Sequence, residues 1–75
     1  MRINFHTIFN VDIDGSISSK KETIRIGGVQ FGPGARFNNV SFGGVNSSML
    51  IGRDLEVRID KDNNNDDVYI ITGIY

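Results

Sequence analysis

Arg2-Ile3-Asn4-Phe5-His6-Thr7-Ile8-Phe9-Asn10-Val11-Asp12-Ile13 is the stretch on which the fold reading turns. Ile3, Phe5, Thr7, Phe9, Val11 and Ile13 share one parity; Arg2, Asn4, His6, Ile8, Asn10 and Asp12 share the other. Side chains of a strand alternate between its two faces, so this pattern predicts one long strand with one buried face. Ile8 and His6 then lie on the outer face. Asp14-Gly15 follows as a tight turn, because glycine accepts positive φ at little steric cost.

The chain beyond it has the same character. Residues 16–22 are polar and read as a loop or a short edge strand. Thr23 to Phe31 reads as a second strand, with Ile24 and Ile26 inward and a bulge at Gly27-Gly28. Gly32-Pro33-Gly34 is a turn. Ala35 and Phe37 run back, Asn38-Asn39 turns again, and Val40 and Phe42 run out to a bend at Gly43-Gly44. Asn46-Ser47-Ser48 is a capping cluster ahead of Met49-Leu50-Ile51, with Gly52 where a helix end favours glycine, so one 3-10 or helical turn is expected near 47–51. Leu55, Val57 and Ile59 mark a one-sided strand, and Asp60 to Asp67 an Asn/Asp-rich hairpin loop.

The final strand, Val68 to Tyr75, is different. Val68, Ile70, Thr72 and Ile74 share one face, Tyr69, Ile71, Gly73 and Tyr75 the other, and both faces are largely apolar. Such a strand is central in its sheet or covered on its second side. The expected architecture is all-β: a small antiparallel barrel of about five to six short strands, SH3-like and partly open. A five-stranded OB-like barrel and two small packed sheets are the alternatives.

Seventy-five residues make one domain, 1–75. Without cysteine there is no disulfide, and a single histidine with no thiolate argues against zinc. A chain this short buries only about 60% of its unfolded surface, so tight packing or oligomerisation must supply stability. The formal net charge is −1, which exerts no long-range pull on nucleic acid or anionic membrane. The charges are unevenly spread: residues 1–53 carry six basic and three acidic side chains, and residues 54–75 two and six. No stretch approaches the roughly 18 apolar residues of a membrane span, and the amino-terminal alternation is not a signal peptide. A cytoplasmic location is the default expectation.

Two segments present oxygens with calcium-like spacing. Asn10, Asp12, Asp14, Gly15 and Ile17 match the first half of a helix–loop–helix calcium loop, but the twelfth position is Lys21, not a bidentate carboxylate. The preceding residues also read as strand, so an Asp-Gly hairpin turn is the preferred account. Asp60, Asp62 and Asp66 crowd the second loop, which lacks an inward-turning glycine. Asp12, Asp14, Asp60, Asp62 and Asp66 are therefore the candidate metal ligands of a subsidiary ion- or ligand-binding reading. The Gly27–Gly34 segment lacks the Lys-Ser/Thr ending of a phosphate loop.

No nucleophile has a base beside it, and the paired carboxylates sit in turns or on outer faces where nothing raises a pKa. No enzyme activity and no cofactor are expected. Phe5, Phe9, Phe31, Phe37 and Phe42 are expected in the core, which leaves no exposed stacking platform for nucleic acid. The expectation is a non-catalytic protein-interaction or structural module, binding a protein partner or forming a homo-oligomer. Tyr69, Ile71 and Tyr75, with Ile8, form its expected interface.

Overall fold

The long amino-terminal strand does not form. In the computed structural model, which describes residues 1–38, 40–42 and 44–75, the stretch divides into β1 (Arg2–Asn4), a helical turn α1 (Phe5–Ile8) and β2 (Phe9–Val11). Asn4 causes the break. It takes the extended conformation of an N-cap, φ −72° and ψ 144°, and its Oδ1 accepts a hydrogen bond from the His6 N–H at 3.0 Å. Asn is among the best N-caps, and it outbids the strand pattern here. One helical turn brings Phe5 and Ile8 to the same side, and both are buried. Ile8 therefore belongs to the core, not to an outer face. Thr7, Val11 and Ile13, expected inward, are exposed.

The described residues form ten strands: β3 (Ile17–Ser19), β4 (Thr23–Ile26), β5 (Val29–Phe31), β6 (Arg36–Phe37), β7 (Ser41–Phe42), β8 (Val45–Asn46), β9 (Asp54–Lys61) and β10 (Asp67–Ile74) complete the set. A 3-10 turn over Ser47–Leu50 falls where the capping cluster predicted it. The expected turn at Asn38-Asn39 and bend at Gly43-Gly44 include Asn39 and Gly43, which lie outside the described residues. No helix among the described residues is long and apolar enough to cross a membrane.

The strands make a five-stranded sheet in the order β1-β9-β10-β4-β5, a three-stranded sheet β2-β3-β6 and a two-stranded ribbon β7-β8. The fold is thus mostly β, as expected. No ladder among the described residues closes a sheet on itself, so the expected barrel is not what the hydrogen bonding makes. Nor is every pair antiparallel: β10 runs parallel to β4. A parallel pair needs a long crossover, and here residues 27–66 supply it.

β10 sits at the centre of the large sheet, between β9 and β4, as its two apolar faces required. Its register slips between Ile71 and Gly73, a bulge at Thr72. The slip reverses parity, so Tyr69, Ile71 and Ile74 all face the core while Tyr75 faces out. On the outer face, Ile70 lies in register with Arg25 and Arg58, and Val68 with Thr23 and Asp60. Both apolar residues are buried within the single chain.

Five phenylalanines tie the sheets together. Phe5 stacks on Phe9 at 4.9 Å, and Phe9 meets Phe37 edge-on at 6.1 Å. Phe37 also stacks on Phe31 at 4.6 Å and meets Phe42 at 5.7 Å. Phe37 of β6 therefore touches β2 in its own sheet, β5 in the large sheet and β7 in the ribbon.

Candidate protein-binding surface

Two turns build the end of the molecule that presents apolar side chains to solvent. The first joins β2 to β3. Asp12 N–H donates to Ser16 O at 2.8 Å, Gly15 N–H donates to Asp12 O at 2.9 Å, and Gly15 has φ +88°. This is a three-residue hairpin loop with glycine in the left-handed region. Asp14 Oδ1 accepts from Ser16 N–H at 2.9 Å, and these Ser16 bonds hold the Asp14 carboxyl below its ordinary pKa. Asp12 Oδ2 meets Arg36 Nη2 at 2.6 Å. The turn thus folds its polar groups back on itself and on β6, and leaves Ile13 at the tip, 108% exposed.

The second is the 3-10 turn. Asn46 Oδ1 accepts from the Ser48 N–H at 2.9 Å and from its hydroxyl at 2.8 Å. Ser47 is buried; its N–H donates to Val40 O at 2.7 Å and its Oγ accepts from Val40 N–H at 3.1 Å. In a 3-10 turn residues i and i+3 align, so Ser47 and Leu50 point inward together and Met49 is turned out. Met49 is 53% exposed and Ile51, next in the chain, 39%. Gly15, Ile17, Asn38, Ser47, Ser48 and Ile51 line a cleft of about 260 Å³ between the two turns.

The interface expected on the last strand is not assembled as a surface. Ile8 and Ile71 are buried in the core, and Tyr69 is half-buried against it. Tyr75 is exposed, but its ring lies under the Arg2 guanidinium, 4.1 Å from the centroid, and its hydroxyl donates to Glu56 Oε1. Glu56 also accepts from the Met1 amino group at 2.6 Å, while Asp54 accepts from Arg2 Nε at 2.8 Å and Asn4 Nδ2 at 2.9 Å. The amino group, then Tyr75, lowers the Glu56 pKa; Asn4, then Arg2, lowers that of Asp54; Glu56 raises that of Tyr75. This network fastens β1 to the β9–β10 hairpin.

The candidate metal ligands are dispersed over two turns. Asp12 is paired with Arg36, and Asp14 braces its own turn. Asp60 Oδ1 accepts from Lys61 N–H at 2.9 Å. Asp62 Oδ1 accepts from the N–H groups of Asn64 and Asp66 at 2.8 and 2.9 Å, which shapes the β9–β10 loop around Asn65 at φ 65°. Among the described residues, no three Asp, Glu, His or Cys side chains are grouped to hold a metal ion. His6 stands exposed beside Phe5, ring to ring at 5.1 Å.

Comparison with protein-family models, curated proteins and solved structures found no match.

The described residues form further hollows, of which two matter here. One, of about 480 Å³, is lined by Lys21, Glu22, Thr23, Pro33, Asp66, Asp67 and Tyr69. Its Asp67 is engaged with Lys61 Nζ at 2.7 Å, a contact that raises the lysine pKa. The other is an apolar groove of about 270 Å³ where β4, the ribbon and the bulged end of β10 meet. Sequence reasoning missed Ile13, Met49 and Ile51. A three-residue loop, in place of the two-residue turn read from Asp14-Gly15, is the signal that would have put Ile13 at the tip.

Proposed function

We propose that this protein is a non-catalytic binding module that docks a protein partner through the end formed by the 12–16 turn and the 3-10 turn. The observation that carries the reading is Ile13, held fully in solvent at the tip of a turn whose Asp12, Asp14, Gly15 and Ser16 are tied to one another and to Arg36. Met49 and Ile51 add two more exposed apolar side chains on the 3-10 turn across the cleft. Burying one such side chain contributes about 1.5–3 kcal/mol. Three together contribute roughly 4.5–9 kcal/mol, set against about 4–15 kcal/mol for lost freedom on association. At best about 5 kcal/mol remains, so docking through this end alone is weak and transient, no tighter than about 0.2 mM.

The test is the triple variant Ile13→Ser, Met49→Ser, Ile51→Ser. Its unfolding free energy should stay within about 1 kcal/mol of the parent's, because Ile13 is fully exposed and Met49 and Ile51 are only partly covered. In cells, cross-linking should show protein adducts of the parent that the variant lacks. A loss of more than about 1 kcal/mol, or an unchanged set of adducts, refutes the reading.

The larger hollow favours a second reading, a ligand module at the cleft between Lys21–Thr23 and Asp66–Tyr69. Saturable amide shifts there on titration with a divalent or organic cation would support it; flat titrations would end it.

A further inference from the structure

The first strand is held to the body by little apolar surface and by one kind of polar contact. β1 is an edge strand that pairs with β9 over three residues, Arg2↔Glu56, Ile3↔Leu55 and Asn4↔Asp54. Ile3, half-buried, is its one side chain packed against the core, and Met1 before it is 57% exposed. The polar groups of this segment converge on two carboxylates. Arg2 Nε donates to Asp54 Oδ2 at 2.8 Å and Asn4 Nδ2 to Asp54 Oδ1 at 2.9 Å, while the Met1 amino group donates to Glu56 Oε2 at 2.6 Å. Tyr75, at the end of β10, completes the cluster with its hydroxyl on Glu56 Oε1 and its ring under the Arg2 guanidinium. Three further cationic groups surround it. Arg53 Nη2 is held on Tyr75 O at 2.6 Å, Arg58 follows Glu56 by two residues on the same face of β9, and His6 of α1 lies against Phe5.

We infer that β1 is an acid-released strap: protonation of Asp54 and Glu56 frees it from the edge of β9 while the rest of the fold stays closed. Neutral carboxyls no longer balance Arg2 and the Met1 amino group. These then stand near Arg53, Arg58 and a protonated His6, and like charges repel β1 from the body. Asn4, then Arg2, holds the Asp54 carboxyl below its ordinary 3.8, and the amino group, then Tyr75, holds Glu56 below its ordinary 4.5. The fastening is therefore present above those ordinary values and is lost as pH falls through the lower folded ones. The core does not share this sensitivity: its buried cluster is wholly apolar, and the β9–β10 ladder runs through seven register pairs. Release takes from the Val57 N–H its acceptor, Met1 O at 2.7 Å, and opens the β9 edge that β1 covers. An open edge is where a further strand can add.

Amide exchange followed by NMR on the full chain from about pH 7 to about pH 3, corrected for the intrinsic rate at each pH, tests it. The reporters are the N–H groups of Phe5 and Val57, bonded to Arg53 O and Met1 O across the β1–β9 junction; the β10 amides report the rest of the fold. Protection at the reporters should fall about tenfold more than in β10, the combined effect of two to three exposed ion pairs. The double variant Asp54→Asn, Glu56→Gln should show the lowered protection already at neutral pH and no further fall below about pH 5. Arg2→Gln, which removes one exposed cation and leaves both carboxyls, should lower protection at neutral pH by about threefold, and it keeps the test open where the double variant fails to fold. Asp67→Asn, which breaks the Lys61 pair in the β9–β10 loop, should leave the reporters as in the parent. Reporters that lose protection only in step with β10 overturn the inference, because acid then loosens the whole chain. Reporters that keep their protection in acid overturn it too, as does a double variant that still responds to acid or an Arg2→Gln chain that matches the parent.

Discussion

Replacing Phe37 by Leu should loosen all three sheets at once. The ring makes edge or stacked contacts with Phe9, Phe31 and Phe42, at 6.1, 4.6 and 5.7 Å between centroids. Each aromatic pair is worth about 0.5–1.5 kcal/mol beyond its buried area, so losing three costs roughly 1.5–4.5 kcal/mol. Leu keeps most of the apolar volume and adds only a modest repacking cost. A central value of about 3 kcal/mol compares with a total stability of roughly 4–11 kcal/mol for a domain this size, so the variant loses a large fraction of it. The melting temperature should fall by roughly 12–24 °C. Phe5→Leu is the control. Phe5 is more deeply buried but stacks on a single phenylalanine, Phe9, so it should cost less. Urea unfolding followed by far-ultraviolet circular dichroism measures both. If Phe37→Leu costs less than about 1 kcal/mol, or less than Phe5→Leu, the ring contacts do not couple the sheets.

Asn4→Ala should cost about 1 kcal/mol by removing the cap of α1; an unchanged urea midpoint would mean that Phe5–Ile8 is held by packing alone. Gly27→Ala should destabilise more than Gly73→Ala. A Cβ on Gly27 would sit 3.2 Å from the Phe42 Cβ at φ +56°, whereas one on Gly73 would meet Glu56 at an ordinary 3.7 Å; equal midpoints would contradict this. Glu56 has a depressed folded pKa, so its contribution is present above its ordinary 4.5 and is lost as pH falls through the lower folded value. Parent and Glu56→Gln should therefore differ in urea midpoint at neutral pH and converge as pH falls through the lowered folded value; a constant gap would show that the charge is not what matters. Tyr75 runs the other way: its raised pKa gives stability present below 10.0 and lost as pH rises through the folded value.

The β character and the central place of β10 were legible because they rest on period and composition. A strand with two apolar faces needs cover on both, and Val68 to Ile74 received it. What the period could not show was which face met the core. That is set by the register with β9 and by the bulge at Thr72, both non-local. Tyr69 and Ile71 therefore looked like a surface row, yet Ile71 is core and Tyr69 is half-buried against it, while Val68 and Ile70 are buried on the other face. The amino-terminal stretch failed for a local reason. Its alternation continues smoothly through Asn4, yet Asn4 can satisfy the His6 N–H with its own side chain, and that bond starts a helical turn. From there parity counts for nothing: Ile8 swings in and Ile13 out.

The same local chemistry explains why the exposure of Ile13 was invisible in the pattern. Ile13 shares the parity of Phe5 and Phe9, so a single strand would bury it with them. The hairpin loop reverses that assignment, because Asp12, Asp14 and Gly15 each satisfy a backbone demand of the turn and Ile13 satisfies none. An apolar residue at such a position adds nothing to folding, since its exposure is the same folded as unfolded. Serine would serve the turn as well and raise solubility. A single exposed apolar side chain is common on protein surfaces, so it is the grouping of Ile13 with Met49 and Ile51 beside one cleft, not its exposure alone, that motivates the docking reading.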